Sequence, residues 1–437
     1  MKTFVTYNLG CKVNAYECDA IANLLEDNGY ILDKDNPDLI IVNTCSVTAT
    51  SDSKSRHKIR HLIREHPSAI MCVMGCYSQM NAKEASEIEG VAIVIGTKYR
   101  DKILEYALDY EKNRNKIIKI DSTDNETKFE NLVVYNFYQN TRAYLKIQDG
   151  CNNFCSYCII PYTRGRVRSK DKDLLLKEAQ TLVDRGYFEL VLTGIHTGAY
   201  GVEFDNYSFY NLLLDLTTKI KGLKRLRISS IEINELSDEI IELIKSNNII
   251  VNHLHIPIQS GCTQTLKRMN RKYDLSKFEE RINYIKNNIK DISITTDVIV
   301  GFPNETDEEF DITYDSLKRI GFSRLHVFPF SSREGTVASR MSNQINGNIK
   351  KERVNRLILL SKELEKEYYS KHLNSVVEVL FEENKDGYYK GYTTNYIKVR
   401  VKTEEKLKGC FKKVKLSEII DIGMDYEVEG ELVDEIC

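Results

Sequence analysis

Short apolar runs and longer amphipathic stretches alternate along the first third of the chain. Buried strands are predicted by the β-branched, apolar runs at residues 2–9, 39–43, 69–74, 91–95 and 116–120. Helices are predicted where apolar residues recur every three or four positions, at residues 15–28, 51–65, 82–88 and around 99–110. Because strands that alternate with helices build βαβ units, this region is predicted to be an open parallel α/β sheet domain.

A second alternating series follows and then gives way to a different pattern. Strands are predicted at residues 143–147, 190–195, 225–231, 253–259, 292–300 and 324–330. These βα units are too few for a closed eight-fold barrel, so they predict a partial (β/α)6 barrel. After a charged helix at 350–369, short alternating runs at 376–382, 388–394, 396–401, 409–414 and 426–432 predict a small antiparallel, OB-like β-barrel.

The length and composition of the chain limit the number of domains and the kinds of partner and chemistry that are expected. A chain of 437 residues is long enough for two or three domains, and the pattern places them at 1–135, 136–370 and 371–437. The net charge of −2 gives no overall field, so any nucleic-acid affinity must come from local basic patches. No signal peptide or run of transmembrane length is evident, which predicts a cytoplasmic protein without a membrane partner. In that compartment 11 cysteines indicate metal or redox chemistry.

Three cysteines lie close together in the loop after the first strand of the second series. Cys151, Cys155 and Cys158 have C-x3-C-x2-C spacing, too tight for disulfides without severe strain. Their thiolates can converge on one metal centre and leave one coordination position open. The alternative is a zinc-binding loop that takes its fourth ligand from elsewhere in the chain.

Cys11, Cys45 and Cys76 each follow one of the first three long strands. Loops at the carboxyl edge of a parallel sheet are neighbours in space, so these thiols are predicted to form a second three-thiolate centre. Gly10 and Gly75 would let the backbone approach it. The alternative is three buried free cysteines, which is how we interpret Cys18, Cys72 and Cys262.

The cysteine motifs resemble those of a known family. The central triplet, with Tyr157 before its last cysteine, resembles the radical S-adenosylmethionine superfamily. The stretches GCKVNAYE (10–17), VNTCSVT (42–48) and GCYSQ (75–79) resemble the N-terminal motifs of the methylthiotransferases within it.

This resemblance implies two [4Fe–4S] clusters. The Cys151/Cys155/Cys158 cluster would bind S-adenosylmethionine and generate a 5′-deoxyadenosyl radical, and the other would take part in supplying sulfur. It also implies an electron donor such as flavodoxin or ferredoxin, and leaves the sulfur source unknown. Tyr157, Gly194 and Glu232 would contact the cofactor.

Three basic regions are candidate RNA contacts. The C-terminal segment resembles the TRAM RNA-binding domain, and its mixture of aromatic and basic residues singles out Tyr389, Lys398 and Arg400. Arg56, Arg60 and Arg64 recur every four residues and so share one helix face. Arg166 and Arg168 alternate beside the central cysteines. For all three regions, an ordinary solvated surface is the alternative.

The resemblance also suggests a substrate. The first motif, GCKVN, is closest to the branch acting on carbon 2 of N6-threonylcarbamoyladenosine at position 37 of tRNA. The isopentenyladenosine branch usually has GCQMN there, and a third branch modifies a ribosomal protein aspartate. A zinc-stabilised RNA-binding protein is the alternative without catalysis. Two departures from the family pattern, His196 and the lack of a proline after Glu232, weaken the assignment of individual substrate contacts.

Overall fold

The computed structural model describes residues 2–46, 49–124, 126–137 and 141–433; Val47 and Thr48 of the second cysteine motif, and Cys437, lie outside these ranges. The N-terminal region is a six-stranded parallel sheet in the order β2-β1-β3-β4-β5-β6. Its strands are β1 Thr3–Asn8, β2 Ile31–Leu32, β3 Leu39–Thr44, β4 Ile70–Gly75, β5 Val91–Ile95 and β6 Ile117–Lys119. Its helices are α1 Lys12–Asp27, α2 Ala49–Glu65, α3 Cys76–Met80, α4 Ala82–Glu87 and α5 Ile103–Asn113. The predicted open sheet is therefore confirmed.

The central region is a partial barrel. Its strands are β7 Ala143–Lys146, β8 Gln148–Asp149, β9 Arg168–Ser169, β10 Glu189–Thr193, β11 Arg225–Ile228, β12 His253–His255, β13 Ser293–Val300 and β14 Arg324–Pro329. Its helices are α6 Ile160–Arg164, α7 Lys172–Asp184, α8 Phe209–Lys219, α9 Asp238–Ser246, α10 Thr263–Arg268, α11 Leu275–Asn288 and α12 Asp307–Ile320. Parallel pairing gives two half-barrels, β7-β10-β11 and β12-β13-β14. Bridges at Leu226–Ile250 and Ser230–His255 join them. The predicted (β/α)6 arrangement is confirmed.

The N-terminal domain covers the flank of this barrel. Helix α1 packs against β7, and its Tyr16 belongs to the same hydrophobic core as Leu145 and Leu192. The Tyr16 hydroxyl donates to Glu178 Oε1 of α7 at 2.8 Å. Within the described ranges β7 and β14 do not pair with each other, so the barrel is open on one side.

The C-terminal region, after the long helix α13 Gly347–Ser370, is a closed five-stranded barrel in the order β15-β16-β17-β19-β18. The strands are β15 Val376–Lys385, β16 Tyr388–Tyr392, β17 Lys398–Lys402, β18 Phe411–Asp421 and β19 Tyr426–Leu432. The prediction of a small barrel is confirmed, but the prediction that all its pairs are antiparallel is wrong, because β17 and β19 pair in parallel. Strand direction cannot alternate all the way around a ring with an odd number of strands.

This small barrel sits against the amino-terminal ends of β10, β11 and β12. The Arg225 guanidinium donates to the Glu378 carbonyl at 2.8 Å, and Arg227 pairs with Glu189 at 2.9 Å while its guanidinium lies over the Tyr396 ring. Tyr396, from the loop between β16 and β17, stacks on His253 with ring centroids 4.5 Å apart. The carboxyl ends of the central strands therefore stay free for chemistry. No helix in the described part of the chain is both long and apolar enough to cross a bilayer.

Candidate active site

The central cysteines lie on one short loop between β8 and α6. All three are free thiols, and the Cys158 amide donates to the Cys155 carbonyl at 2.9 Å, which turns the loop back on itself. Burial raises the pKa of Cys158 to about 12, and the neighbouring Cys155 and Cys151 add to the rise. The loop is anchored by Ser156, whose hydroxyl donates to the Arg268 carbonyl at 2.8 Å. The thiols are thus held near one another by backbone geometry.

A single metal ion and an iron–sulfur cluster make different demands on the three thiols. In the described ranges no three Cys, His, Asp or Glu side chains stand close enough to share one metal ion. A zinc ion needs all its sulfur ligands at about 2.3 Å from one point. In an iron–sulfur cluster each thiolate binds a different iron, so the thiolates stand farther apart. Three thiols on one loop can bind three irons of a [4Fe–4S] cluster and leave the fourth iron open.

The N-terminal cysteines meet at the carboxyl edge of their sheet. Cys11 caps α1, Cys76 is the first residue of α3, and Cys45 directly follows β3. The prediction that Cys76 lies in a loop is wrong, because the chain turns into α3 immediately after β4. Burial raises the pKa of Cys76, Arg164 lowers it, and the nearby Cys11 raises it further. Two of the three thiols thus lie at the N-termini of helices.

Gly75 shows how closely the backbone packs here. Its φ is +105°, and a Cβ at this position would lie 2.4 Å from Asn43 Oδ1 and 2.5 Å from the Thr44 carbonyl oxygen. Only glycine fits both the conformation and the space. Gly75 therefore lets the end of β4, just before Cys76, pack directly against the end of β3, just before Cys45.

A buried charge network lies beside the N-terminal centre. Arg164 Nη1 lies 2.8 Å from Glu17 Oε1 and 3.2 Å from Asp149 Oδ2. Glu17 also pairs with Arg100 at 2.6 Å and with Lys146 at 2.9 Å. This network joins α1 to the strand that precedes Cys151, and so fixes one cysteine set relative to the other.

A second link comes from the loop after β14. Arg333 Nη2 donates to Ser46 Oγ and to Asp52 Oδ2, both at 2.6 Å. Ser46 adjoins Cys45, and Asp52 lies in the first turn of α2. Arg333 therefore holds the second cysteine loop against the carboxyl end of the barrel.

A cavity of about 460 Å³ occupies the barrel interior and reaches Cys11. It is lined by Cys11, Lys12, Gly194, Ser229, His255 and Asp297, among others. A neighbouring cavity of about 220 Å³ contains Tyr157 and Cys158. Asp297 and Phe328 line both, so the two cysteine sets face adjoining spaces.

Two polar side chains in and beside these cavities have oxygen atoms that could bind a ligand. Ser229 Oγ and Thr197 Oγ1 are buried and have no hydrogen-bond partner among the described residues. Buried polar atoms normally have a partner. Unsatisfied groups near an open-coordination cysteine loop fit a polar cofactor such as S-adenosylmethionine.

Two of the three predicted cofactor contacts lie beside the cysteine loop, and the third lines the large cavity. Glu232 lines a small cavity beside Cys155, and Gly194 lines the large one. Tyr157 adjoins Cys158. Arg271 connects two of them, because it pairs with Glu232 and its Nη1 lies 3.5 Å from the Tyr157 hydroxyl and 3.4 Å from Cys155 Sγ. Arg271 could not be predicted from the sequence, since it lies in no motif and 113 positions after Cys158.

His196, one of the departures from the family pattern, also lies here. It pairs with Glu235, and its Nε2 is 3.2 Å from Asn153 Nδ2 in the cysteine loop. Burial lowers the pKa of His196, but hydrogen bonds with Cys151 and Glu235 raise it to about 10. The side chain thus braces the cysteine loop.

Two of the predicted RNA contacts are wrong. Arg168 is buried and donates to the Arg164 and Arg166 carbonyls, because β9 turns its side chain inward. Tyr389 belongs to the core of the C-terminal barrel, because alternate residues of β16 face inward. Neither side chain can reach RNA. Arg166 is exposed, with its guanidinium over the Phe154 ring.

The remaining basic candidates are accessible to different degrees. Arg60 and Arg64 are exposed on α2, whereas Arg56 is half-buried and pairs with Glu84 at 3.2 Å. Lys398 pairs with Glu427 at 2.9 Å, and Arg400 with Glu429 at 2.6 Å. The α2 face is therefore the better basic surface.

Comparison with known proteins gives consistent matches along the chain. Residues 145–317 match the family described as the Radical SAM superfamily, and residues 3–96 match Uncharacterized protein family UPF0004. The chain is 48% identical to the threonylcarbamoyladenosine tRNA methylthiotransferase MtaB of Bacillus subtilis, over 99% of this chain and 97% of the relative. It is 34% identical to the tRNA-2-methylthio-N(6)-dimethylallyladenosine synthase of Lachnoclostridium phytofermentans, over 95% and 93%.

A solved structure shares the fold. The radical S-adenosylmethionine methyltransferase TsrM from Kitasatospora setae, with cobalamin and a [4Fe-4S] cluster bound, superposes with a TM-score of 0.57. The match covers 78% of this chain and 74% of that one at 15% identity, so it concerns architecture alone.

Proposed function

The chain belongs to the radical S-adenosylmethionine methylthiotransferases of tRNA, and we propose that it replaces the hydrogen on carbon 2 of N6-threonylcarbamoyladenosine with a methylthio group. The full-length identity of 48% to the threonylcarbamoyladenosine enzyme carries this proposal. Identity to the dimethylallyladenosine enzyme is lower, at 34%.

The cofactor residues are proposed from the geometry. Cys151, Cys155 and Cys158 would hold one [4Fe–4S] cluster, and Cys11, Cys45 and Cys76 the other. When bound, the first cluster and S-adenosylmethionine supply the radical chemistry that removes hydrogen from an unactivated carbon. The adjoining cavities let the base lie between the two cysteine sets, shielded from bulk water by the barrel wall and α1.

The other domains of the chain would position the RNA, and a separate protein would supply electrons. We assign residues 1–135, 136–370 and 371–437 to the sheet domain, the radical domain and a TRAM-like RNA-binding barrel. The sheets support these boundaries, because the first ends at Lys119 and the second begins at Ala143. The basic face of α2, near Cys45, would contact tRNA phosphates. A flavodoxin or ferredoxin would donate electrons in the cytoplasm, where tRNA is modified.

A reconstitution assay tests the proposed reaction. Protein with rebuilt clusters is mixed anaerobically with S-adenosylmethionine, a sulfide source, a reductant and tRNA that carries threonylcarbamoyladenosine. Mass spectrometry of the digested nucleosides should show the 2-methylthio derivative. A parallel tRNA with isopentenyladenosine is the control, and its preferential modification would assign the chain to the other branch.

A further inference from the structure

Lys12 places a positive charge in the cavity beside Cys11. It is the first residue of α1, and its side chain lines the cavity that also contains His255 and Asp297. It remains exposed to that space. Because Cys11 is a proposed ligand of the sulfur-supplying cluster, Lys12 stands next to the place from which sulfur would be delivered.

The other charged groups of this cavity are paired. Arg227 binds Glu189 at 2.9 Å, and Asp297 Oδ1 lies 3.3 Å from His255 Nε2. For Lys12, by contrast, the ionisable groups that act on it most strongly are Tyr396, Arg142, Arg227 and Cys11, and none of these is a carboxylate. Among the described residues, Lys12 thus lies near two other cations and has no carboxylate as a counter-ion.

Lys12 lies at the N-terminus of α1, where a positive charge is unfavourable. A helix N-terminus carries partial positive charge and is stabilised by acidic residues, so a lysine there is unfavourable. The first turn of α1 contains no acidic residue that could compensate. An anion in the cavity that Lys12 lines would offset this unfavourable position.

We propose that Lys12 binds the carboxylate of the threonylcarbamoyl group and so selects the anionic base over a neutral one. This inference rests on the proposed function. The threonylcarbamoyl group carries a carboxylate, and the isopentenyl group carries no charge. The N6 substituent and carbon 2 flank the same ring nitrogen of adenine, so the carboxylate lies a few ångströms from the carbon that receives sulfur.

The test is a binding cycle with the cluster-loaded protein. Fluorescence anisotropy measures binding of an anticodon stem-loop that carries threonylcarbamoyladenosine, and of the same stem-loop with that carboxylate methyl-esterified. K12Q removes the charge, K12R keeps it, and K83Q is the control because Lys83 is exposed on α4. A charge-assisted hydrogen bond predicts that K12Q binds the native stem-loop about 10- to 100-fold more weakly. K12R and K83Q should bind it within about 3-fold of wild type.

The ester distinguishes the carboxylate from other anions. Wild-type protein should bind the methyl-esterified stem-loop more weakly than the native one, by about the same factor by which K12Q weakens binding of the native stem-loop. The K12Q variant should bind the native and the esterified stem-loops with equal affinity. If K12Q weakens both stem-loops equally, Lys12 contacts a backbone phosphate and the inference is overturned. A loss of iron in K12Q, or of S-adenosylmethionine binding, also overturns it. An intact binding cycle without methylthiolation would leave the inference standing and refute the proposed function instead.

Discussion

Arg164 Nη1 lies 2.8 Å from Glu17 Oε1, and this buried ion pair connects the radical barrel to the first helix of the sheet domain. Both side chains are fully enclosed. Glu17 also neutralises Arg100 and Lys146, so one carboxylate holds three cations in place. This buried network therefore links the elements that carry the two cysteine sets.

Loss of Glu17 should therefore destabilise the protein strongly. Glu17→Gln leaves three buried cations to share the carboxylates of Asp149 and Glu130, and removing one member of such a buried group costs roughly 3–5 kcal/mol. Thermal unfolding of the cluster-free protein should show a clearly lower midpoint. Glu87→Gln, at an exposed position on α4, is the control and should shift the midpoint little. Equal midpoints for Glu17→Gln and wild type would contradict the role of the network.

His326 should make stability depend on pH in the acid range. Burial lowers the pKa of His326 to about 4, from an ordinary value of 6.5, and the neighbouring His255 adds to the shift. The unfolded chain takes up a proton at this site below pH 6.5, whereas the folded chain does so only near pH 4. The free energy of unfolding therefore decreases as the pH is lowered from 6.5 to 4. His326→Asn should flatten the dependence of the unfolding midpoint between pH 6.5 and 4. An unchanged slope would contradict this assignment.

The two cysteine sets should lose iron independently. Wild-type protein should bind about eight irons after reconstitution, and either Cys155→Ala or Cys76→Ala should bind about four, because each set holds one [4Fe–4S] cluster. Cys410→Ser, in the C-terminal barrel, should bind as much iron as wild type. A single substitution that removed all the iron would show that the sets share one centre.

The basic face of α2 should contribute to tRNA binding through phosphates. Arg60→Gln combined with Arg64→Gln should weaken binding of all tRNAs alike and make it less sensitive to salt. The slope of log affinity against log salt should fall by up to about 2, one unit for each phosphate that is no longer neutralised. The double variant Lys34→Gln/Lys83→Gln removes two exposed lysines elsewhere in the domain and is the control. An unchanged slope would place the RNA on another surface.

Elements with a regular pattern could be predicted from the sequence, and close contacts could not. Strand β5 was placed at its observed bounds because five consecutive apolar residues are buried on both faces. The two-residue strand β2 was missed because it is too short to show any periodicity. Helix α3 was missed because its five residues are too few to show a helical period.

Side-chain roles were harder to predict than strand positions. The six cysteines could be chosen because their spacing is itself the signal. Arg168 was misassigned because alternation along a strand does not say which face is buried. Lys12 was treated only as part of a motif, since its lack of a counter-ion is visible only when the barrel and α1 are seen together.

The most direct test of the proposed function is nucleoside mass spectrometry of total tRNA from the source organism after deletion of this gene. Strains that carry the wild-type gene or the Cys155→Ala variant are compared with the deletion. We predict that 2-methylthio-N6-threonylcarbamoyladenosine disappears, that its unthiolated precursor accumulates, and that only the wild-type gene restores the modification. An unchanged level of this nucleoside, or loss of the isopentenyl derivative instead, would contradict the account.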